Sequence, residues 1–124
     1  MSQDNVADVL NRIMNAKRAR RDVVITKRYS KLLLKILDLM KEKGYIDYEL
    51  TDDSELKIEI KEINECKAVK PRYTFNIKTL DKYIKRFLPS RNFGYVVVST
   101  NKGIMIHSDA IENKVGGCLL AYFY

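Results

Sequence analysis

The segment Val96-Val97-Val98-Ser99-Thr100-Asn101-Lys102-Gly103-Ile104-Met105 constrains this chain more than any other. Three consecutive valines predict a strand covered on both faces, because a half-wet strand would alternate apolar with polar residues. The apolar run then breaks into five small or polar residues and resumes at Ile104. That break predicts a tight turn and a returning strand, with Gly103 free to take positive φ. The turn's chemistry is narrow: two hydroxyls, an amide, an ammonium and an unshielded glycine backbone. Such groups hydrogen-bond to phosphates, sugars and base edges, yet none is a general base at neutral pH. The turn reads as a binding element, against the plainer reading of an ordinary hydrophilic hairpin.

The remainder must hold that hairpin. With 124 residues the chain makes one compact domain or two very small packed ones, burying roughly two thirds of its unfolded surface. Hydrophobic residues at 46% argue against disorder, and no apolar run approaches the ~20 residues of a membrane span. The polar start Met1-Ser2-Gln3-Asp4-Asn5 carries no leader pattern, so a cytoplasmic protein without membrane association is expected. Cys66 and Cys118 lie in apolar contexts without zinc-type spacing and read as free buried thiols. No metal, cofactor or phosphate-cradling glycine loop is expected.

Charge is distributed unevenly about a net +7. From Lys17 to Lys31 seven basic residues face one acid, Asp22, whereas from Asp47 to Glu65 eight acids face Lys57 and Lys61. Beyond Glu65 the chain turns basic again. A polyanion-binding protein with an acidic face turned away fits this pattern; a merely soluble basic protein is the alternative.

Val6, Val9, Leu10, Ile13 and Met14 recur at helical spacing, with Ser2 or Asp4 as the cap. Val23 to Ile25 predict a short strand, and Ser30 opens a helix that turns Leu33, Ile36, Leu37 and Met40 inward and stops at Gly44. Residues 45–50 and 56–61 alternate as strands around the turn Thr51 to Ser54. After a boundary near Glu65 and a break at Pro71, Tyr73, Phe75 and Ile77 alternate as a strand. Thr79 then caps a helix bearing Leu80, Tyr83, Ile84 and Phe87, ended by Pro89. The hairpin follows, then a helix over 108–114, and Gly116-Gly117 leads into a buried C-terminal strand. The expected fold is α+β: an N-terminal α/β sandwich over 1–65, ordered helix-strand-helix-strand-strand, packed with a mostly antiparallel β domain with short helices over 66–124.

The runs 4–16, Tyr29-Ser30-Lys31-Leu32, Gly44-Tyr45-Ile46, Ser99 to Met105, and Gly116-Gly117 with Tyr122 beyond resemble the universal eighth protein of the small ribosomal subunit, the S8 family, along nearly the whole chain. Ile63-Asn64-Glu65-Cys66, Lys70-Pro71-Arg72-Tyr73 and Phe87 to Gly94 resemble its archaeal and eukaryotic branch. The resemblance implies a two-domain fold and a primary role in binding a helix of the central domain of 16S ribosomal RNA during subunit assembly, beside neighbouring small-subunit proteins and as a monomer when free. It places the family's Ser-Thr-Ser-Lys-Gly turn on Ser99, Thr100, Asn101, Lys102 and Gly103, with Asn101 in place of serine. It also places RNA contacts on Asp4, Arg12, Asn15, Lys17, Tyr29, Ser30, Lys31, Gly116 and Gly117. Small polar groups and close backbone approach suit irregular RNA, whose 2′-hydroxyls they can read, while Lys and Arg add affinity through counterion release.

Other readings remain at this point. A general basic RNA-binding protein or a translational repressor would share the composition. An enzyme would need Cys118 as nucleophile and His107 as base, but a strand cysteine beside leucine reads as core and His107, before a helix, as surface. The acidic strand face with Tyr48 would suit a basic neighbour. Tyr73, Tyr83, Tyr95 and Phe93 are stacking candidates whose plainer reading is core.

Overall fold

The computed structural model describes residues 5–70, 72–90 and 93–124. The chain divides into two compact units, the first ending at Cys66 and the second spanning Lys67–Tyr124. The proposed caps Ser2 and Asp4, and Pro71, lie outside the described residues.

In the first unit the order is α1 (Asn5–Arg18), β1 (Val23–Thr26), α2 (Lys31–Glu42), β2 (Ile46–Leu50) and β3 (Leu56–Ile60). The strands form an antiparallel sheet ordered β1-β3-β2. Alternation decides its faces: Val24, Ile46, Leu56 and Ile58 are buried with Val9, Leu10 and Ile13 of α1 and Leu33, Ile36 and Leu37 of α2. Ser30 caps α2, its hydroxyl accepting from the Leu33 amide at 3.2 Å, and Gly44, at φ +83°, follows the helix end.

The second unit runs β4 (starting at Cys66 and ending at Ala68), β5 (Thr74–Phe75), α3 (Ile77–Phe87), β6 (Tyr95–Thr100), β7 (Gly103–Ile106), α4 (His107–Asn113) and β8 (Gly117–Phe123). Its sheet is ordered β4-β8-β6-β7, and β5 also pairs with β8. Val96, Val97 and Val98 are fully buried, as their run requires. Leu80, Ile84 and Leu88 of the α3 segment close over Val96, Val98 and Leu119. The β6–β8 ladder slips between Val97 and Val98, so that Val97 faces Ala121 while Val98 faces Leu119 and Leu120 is the extra residue.

Four expectations need correction. The strand through Tyr73, Phe75 and Ile77 shrinks to Thr74–Phe75, because Asn76 caps α3 and turns Ile77 into its first residue. Thr79 is therefore the reciprocal partner in a capping box: its amide donates to Asn76 Oδ1 at 2.9 Å and its hydroxyl accepts from the Asn76 amide at 3.0 Å. His107 is buried within α4 instead of preceding it on the surface. Cys118 is only half-buried, while Cys66 is buried, and both thiols are free.

Candidate nucleic-acid interface

The binding turn is shorter than its sequence pattern suggests. Ser99 and Thr100 belong to β6 and Gly103 to β7, leaving Asn101 and Lys102 as the two-residue loop closed by the Thr100–Gly103 pair. The Thr100 hydroxyl donates to the Gly103 carbonyl at 3.0 Å and accepts from the Lys102 amide at 3.1 Å, so it fixes the loop. Gly103 has φ +116°, where a side chain would be strained, yet nothing lies within 4 Å of the position a Cβ would take. The hairpin thus exposes the Asn101 amide, the Lys102 ammonium and the open Gly103 backbone.

Gly117 acts on this hairpin through clearance, and Gly116 does the same for β5. A Cβ on Gly117 would stand 1.9 Å from the Ser99 carbonyl oxygen, and one on Gly116 would stand 2.7 Å from that of Phe75. Gly117 pairs with Thr100 on one side and Phe75 on the other, Cys118 with Ser99 and Thr74. The structure therefore brings Ser99, Thr100, Asn101, Lys102, Gly103, Gly116 and Gly117 to one end of the sheet.

The first unit gathers a different set. Arg12, Asn15 and Ala16 share one face of α1 and, with Ala19 just past its end, Arg21 and Val23 to Ile25, line an open hollow of about 500 Å³. The Arg12 guanidinium donates to the Ile25 carbonyl at 3.2 Å, which sets it against the outer edge of β1. Lys17 lies about 140° further round the helix and donates instead to the carbonyls of Ile63 and Asn64, so it does not join Arg12 and Asn15. Ser30 is engaged as the α2 cap, with half-buried Tyr29 before it and exposed Lys31 after it. Asp4 lies outside the described residues. Sequence reading missed Arg21 and the two alanines, although Arg12, Ala16 and Ala19 at i, i+4 and i+7 carried the signal.

The acidic stretch is partly neutralised within its own sheet. Asp47 faces Glu59 across β2 and β3, and Lys41 stands 3.2 Å from Asp47, Lys57 3.9 Å from Glu49 and Lys61 3.9 Å from Glu59. The Lys41 ammonium beside Asp47 holds that carboxyl below its usual value. Burial, with Asp38 accepting its hydroxyl, pushes Tyr48 up to about 12.

The nucleophile–base reading needs Cys118 beside His107, but Cys118 faces Ser99 on β6 while His107 bonds to Val96, three residues away along that strand. Burial pushes the Cys66 thiol up to about 12, and its amide donates to Met14 Sδ at 3.3 Å. His107 Nδ1 accepts from the Val96 amide at 3.1 Å, an 11-residue bond within the core of the unit. Burial lowers its pKa below 6.5, against a weaker pull from Asp109.

The loop offers an amide and an ammonium, with Gly117 clearing the space behind it. Comparison with known proteins identifies the family. The sequence pattern of the family described as Ribosomal protein S8 matches residues 4–124. The chain belongs to the S8 family. The small ribosomal subunit protein uS8 of Nanoarchaeum equitans (strain Kin4-M) is 41% identical over 129 residues, covering the whole of both chains. The small ribosomal subunit proteins uS8A and uS8B of Schizosaccharomyces pombe (strain 972 / ATCC 24843) are each 39% identical over 127 residues, covering 98% of both chains. These relatives support the archaeal and eukaryotic branch of the family. S8 proteins are structural, non-enzymatic components of the small subunit, which removes the catalytic reading of Cys118 and His107.

Proposed function

We propose that this S8-family chain is a primary RNA-binding protein of the small subunit, acting early in assembly on an irregular helix in the central domain of 16S ribosomal RNA. The observation that carries the reading is the β6–β7 hairpin, whose loop is fixed by Thr100 and whose base is seated by Gly117. A loop ordered before binding loses little freedom on contact, and its amide and open backbone suit 2′-hydroxyls and unstacked bases. The first unit, 1–65, whose basic stretch from Lys17 to Lys31 is balanced by the acids of its later strands, supplies affinity through Arg12, Asn15, Lys17 and Lys31, with Tyr29, Ser30 and Asp4 at the same RNA. The second, 66–124, supplies selection through Ser99 to Gly103. In this reading the protein works in the cytoplasm, monomeric until it meets the RNA and its neighbouring small-subunit proteins.

The test is equilibrium binding to a central-domain helix fragment and to a regular duplex of equal length, across a salt series. Selectivity for the irregular RNA should survive at high salt and fall about tenfold in Asn101→Ala, with Thr100→Ala/Asn101→Ala weaker again, as expected for a lost reader contact of 1–2 kcal/mol. Equal and steeply salt-dependent binding to both RNAs would leave a basic protein whose hairpin selects nothing.

A further inference from the structure

One strongly charged surface is not used by that reading. Between Lys67 and Ser90 the sequence holds seven basic residues and one acid, Asp81. Four of the seven, Lys78, Lys82, Lys85 and Arg86, project from α3, and all are exposed. Lys85 is 3.3 Å from Asp81, but Lys78–Lys82 and Lys82–Arg86 are like-charged pairs at i, i+4. Each such pair works against an isolated helix, so the free protein carries a local cost that a polyanion would relieve.

Beside these cations the aromatic rings are arranged as a ladder. Tyr73 stacks on Tyr83 at 5.5 Å and 22°, Phe87 on Tyr122 at 5.4 Å and 22°, and Tyr122 on Tyr124 at 6.3 Å and 10°. The Arg86 guanidinium joins the two halves, 5.2 Å from the Tyr73 ring centre and 5.4 Å from that of Phe87. Lys82 lies 5.7 Å over Tyr83. The rings are half-buried, so they close the edge of the core while leaving planar edges at the surface. Aliphatic residues would close a core equally well, but they would offer a guanidinium no π face to lie against.

Direction matters as well. Phe75, just before α3, pairs with Gly117, whereas Phe87 at its other end meets Tyr122, so the helix runs the length of β8 away from the hairpin end. We infer that the exposed face of α3 and its ring ladder form a second RNA-binding surface, which takes an unpaired strand. Lys78 and Lys82, about 6 Å apart along the axis, engage successive phosphates, and a base lies against the Arg86–Tyr73 stack. An unpaired strand fits better than an acidic peptide because guanidinium and tyrosine faces offer stacking that carboxylates cannot use. The inference rests on the chain's being an RNA-binding protein, but it does not depend on the hairpin.

The experiment titrates the whole protein with an unstructured oligouridine of about 12 nucleotides, across a salt series. Tyrosine emission reports stacking, because the chain has eight tyrosines and no tryptophan. The double variant Lys78→Gln/Lys82→Gln should lose about tenfold in affinity at low salt, and its log–log salt slope should become shallower by about 1.4. Arg86→Lys keeps the charge, so its slope should match the parent while its emission quench shrinks. Selectivity between the central-domain helix fragment and the regular duplex, the readout of the hairpin, is measured on the same variants and should keep the parent's ratio, so failure of the hairpin reading and failure of this one give different results. Parent-like affinity and slope in the double variant would overturn the inference. So would parent protein that binds polyglutamate or anionic vesicles as tightly as oligouridine.

Discussion

The hairpin of the second unit and the hollow of the first are both polar surfaces, yet they are made by opposite means. The hairpin is backbone: two strands in register, a hydroxyl closing its loop and a glycine whose missing side chain lets β8 lie against Ser99. The hollow is side chain: a guanidinium reaching from α1 to the edge of β1, alanines that leave room, and Arg21 at the rim. A backbone site is stiff and tolerates little change, whereas long cationic side chains adapt to many phosphate arrangements. If the proposed function holds, selection and affinity should therefore separate by mutation.

The sharpest way to break this comparison is Gly117→Ala. Its Cβ would meet the Ser99 carbonyl at 1.9 Å, and β6 or β8 would have to move. We expect a loss of about 3 kcal/mol in denaturant unfolding, together with loss of selectivity for irregular RNA. Unchanged stability would mean that the ladder yields easily and the hairpin is not rigid. A smaller effect is expected in the first unit. Arg12→Gln/Arg21→Gln should weaken irregular and regular RNA alike, flattening the log–log salt slope by about 1.4 to 1.8 while leaving selectivity intact. If selectivity fell instead, the division of labour would be wrong.

The smallest predicted effect uses the single histidine of the chain, which lies in the second unit. Burial keeps the His107 imidazole neutral, and protonation at Nδ1 would break its bond from the Val96 amide. The unfolded chain takes up this proton more readily than the fold. Stability is thus at full value above pH about 6.5 and falls as pH drops through the lowered folded value. Denaturant midpoints measured from about pH 7.5 to about pH 5 should decline in the parent and lose that component of the decline in His107→Gln. Amide exchange should place the extra opening in β6 and α4, leaving α1 and α2 protected.

Much of this architecture was legible in the sequence where a single element explained its own pattern. Helices α1 and α2 announced their buried faces by spacing, and the valine run announced a strand covered on both sides. The reading failed where a pattern crossed an element boundary. Tyr73, Phe75 and Ile77 alternate like one strand, but Asn76 stops it, and the local bond to Thr79 outweighs the alternation. Strand β4 was too short to signal itself. At the site, the family resemblance placed Arg12 and Lys17 together, whereas the helix sets them on different faces. The acidic strands looked like a bare negative surface because the lysines that answer them, Lys41 for Asp47 and Lys57 for Glu49, come from another element or from the facing position of the neighbouring strand.

The slip between Val97 and Val98 acts as a counting device. Because Leu120 is skipped, Leu119 comes to the face shared by Val98, and Gly117, two residues back, falls opposite Thr100. Without the slip, Leu120 would face Val98, Leu119 would face Ser99, and Cys118 would come opposite Thr100. Its side chain would then occupy space that only a glycine leaves open. The distance from this slip to the hairpin is therefore fixed in whole residues, and one residue inserted between Gly117 and Leu119 with the slip kept would carry Gly117 past Thr100.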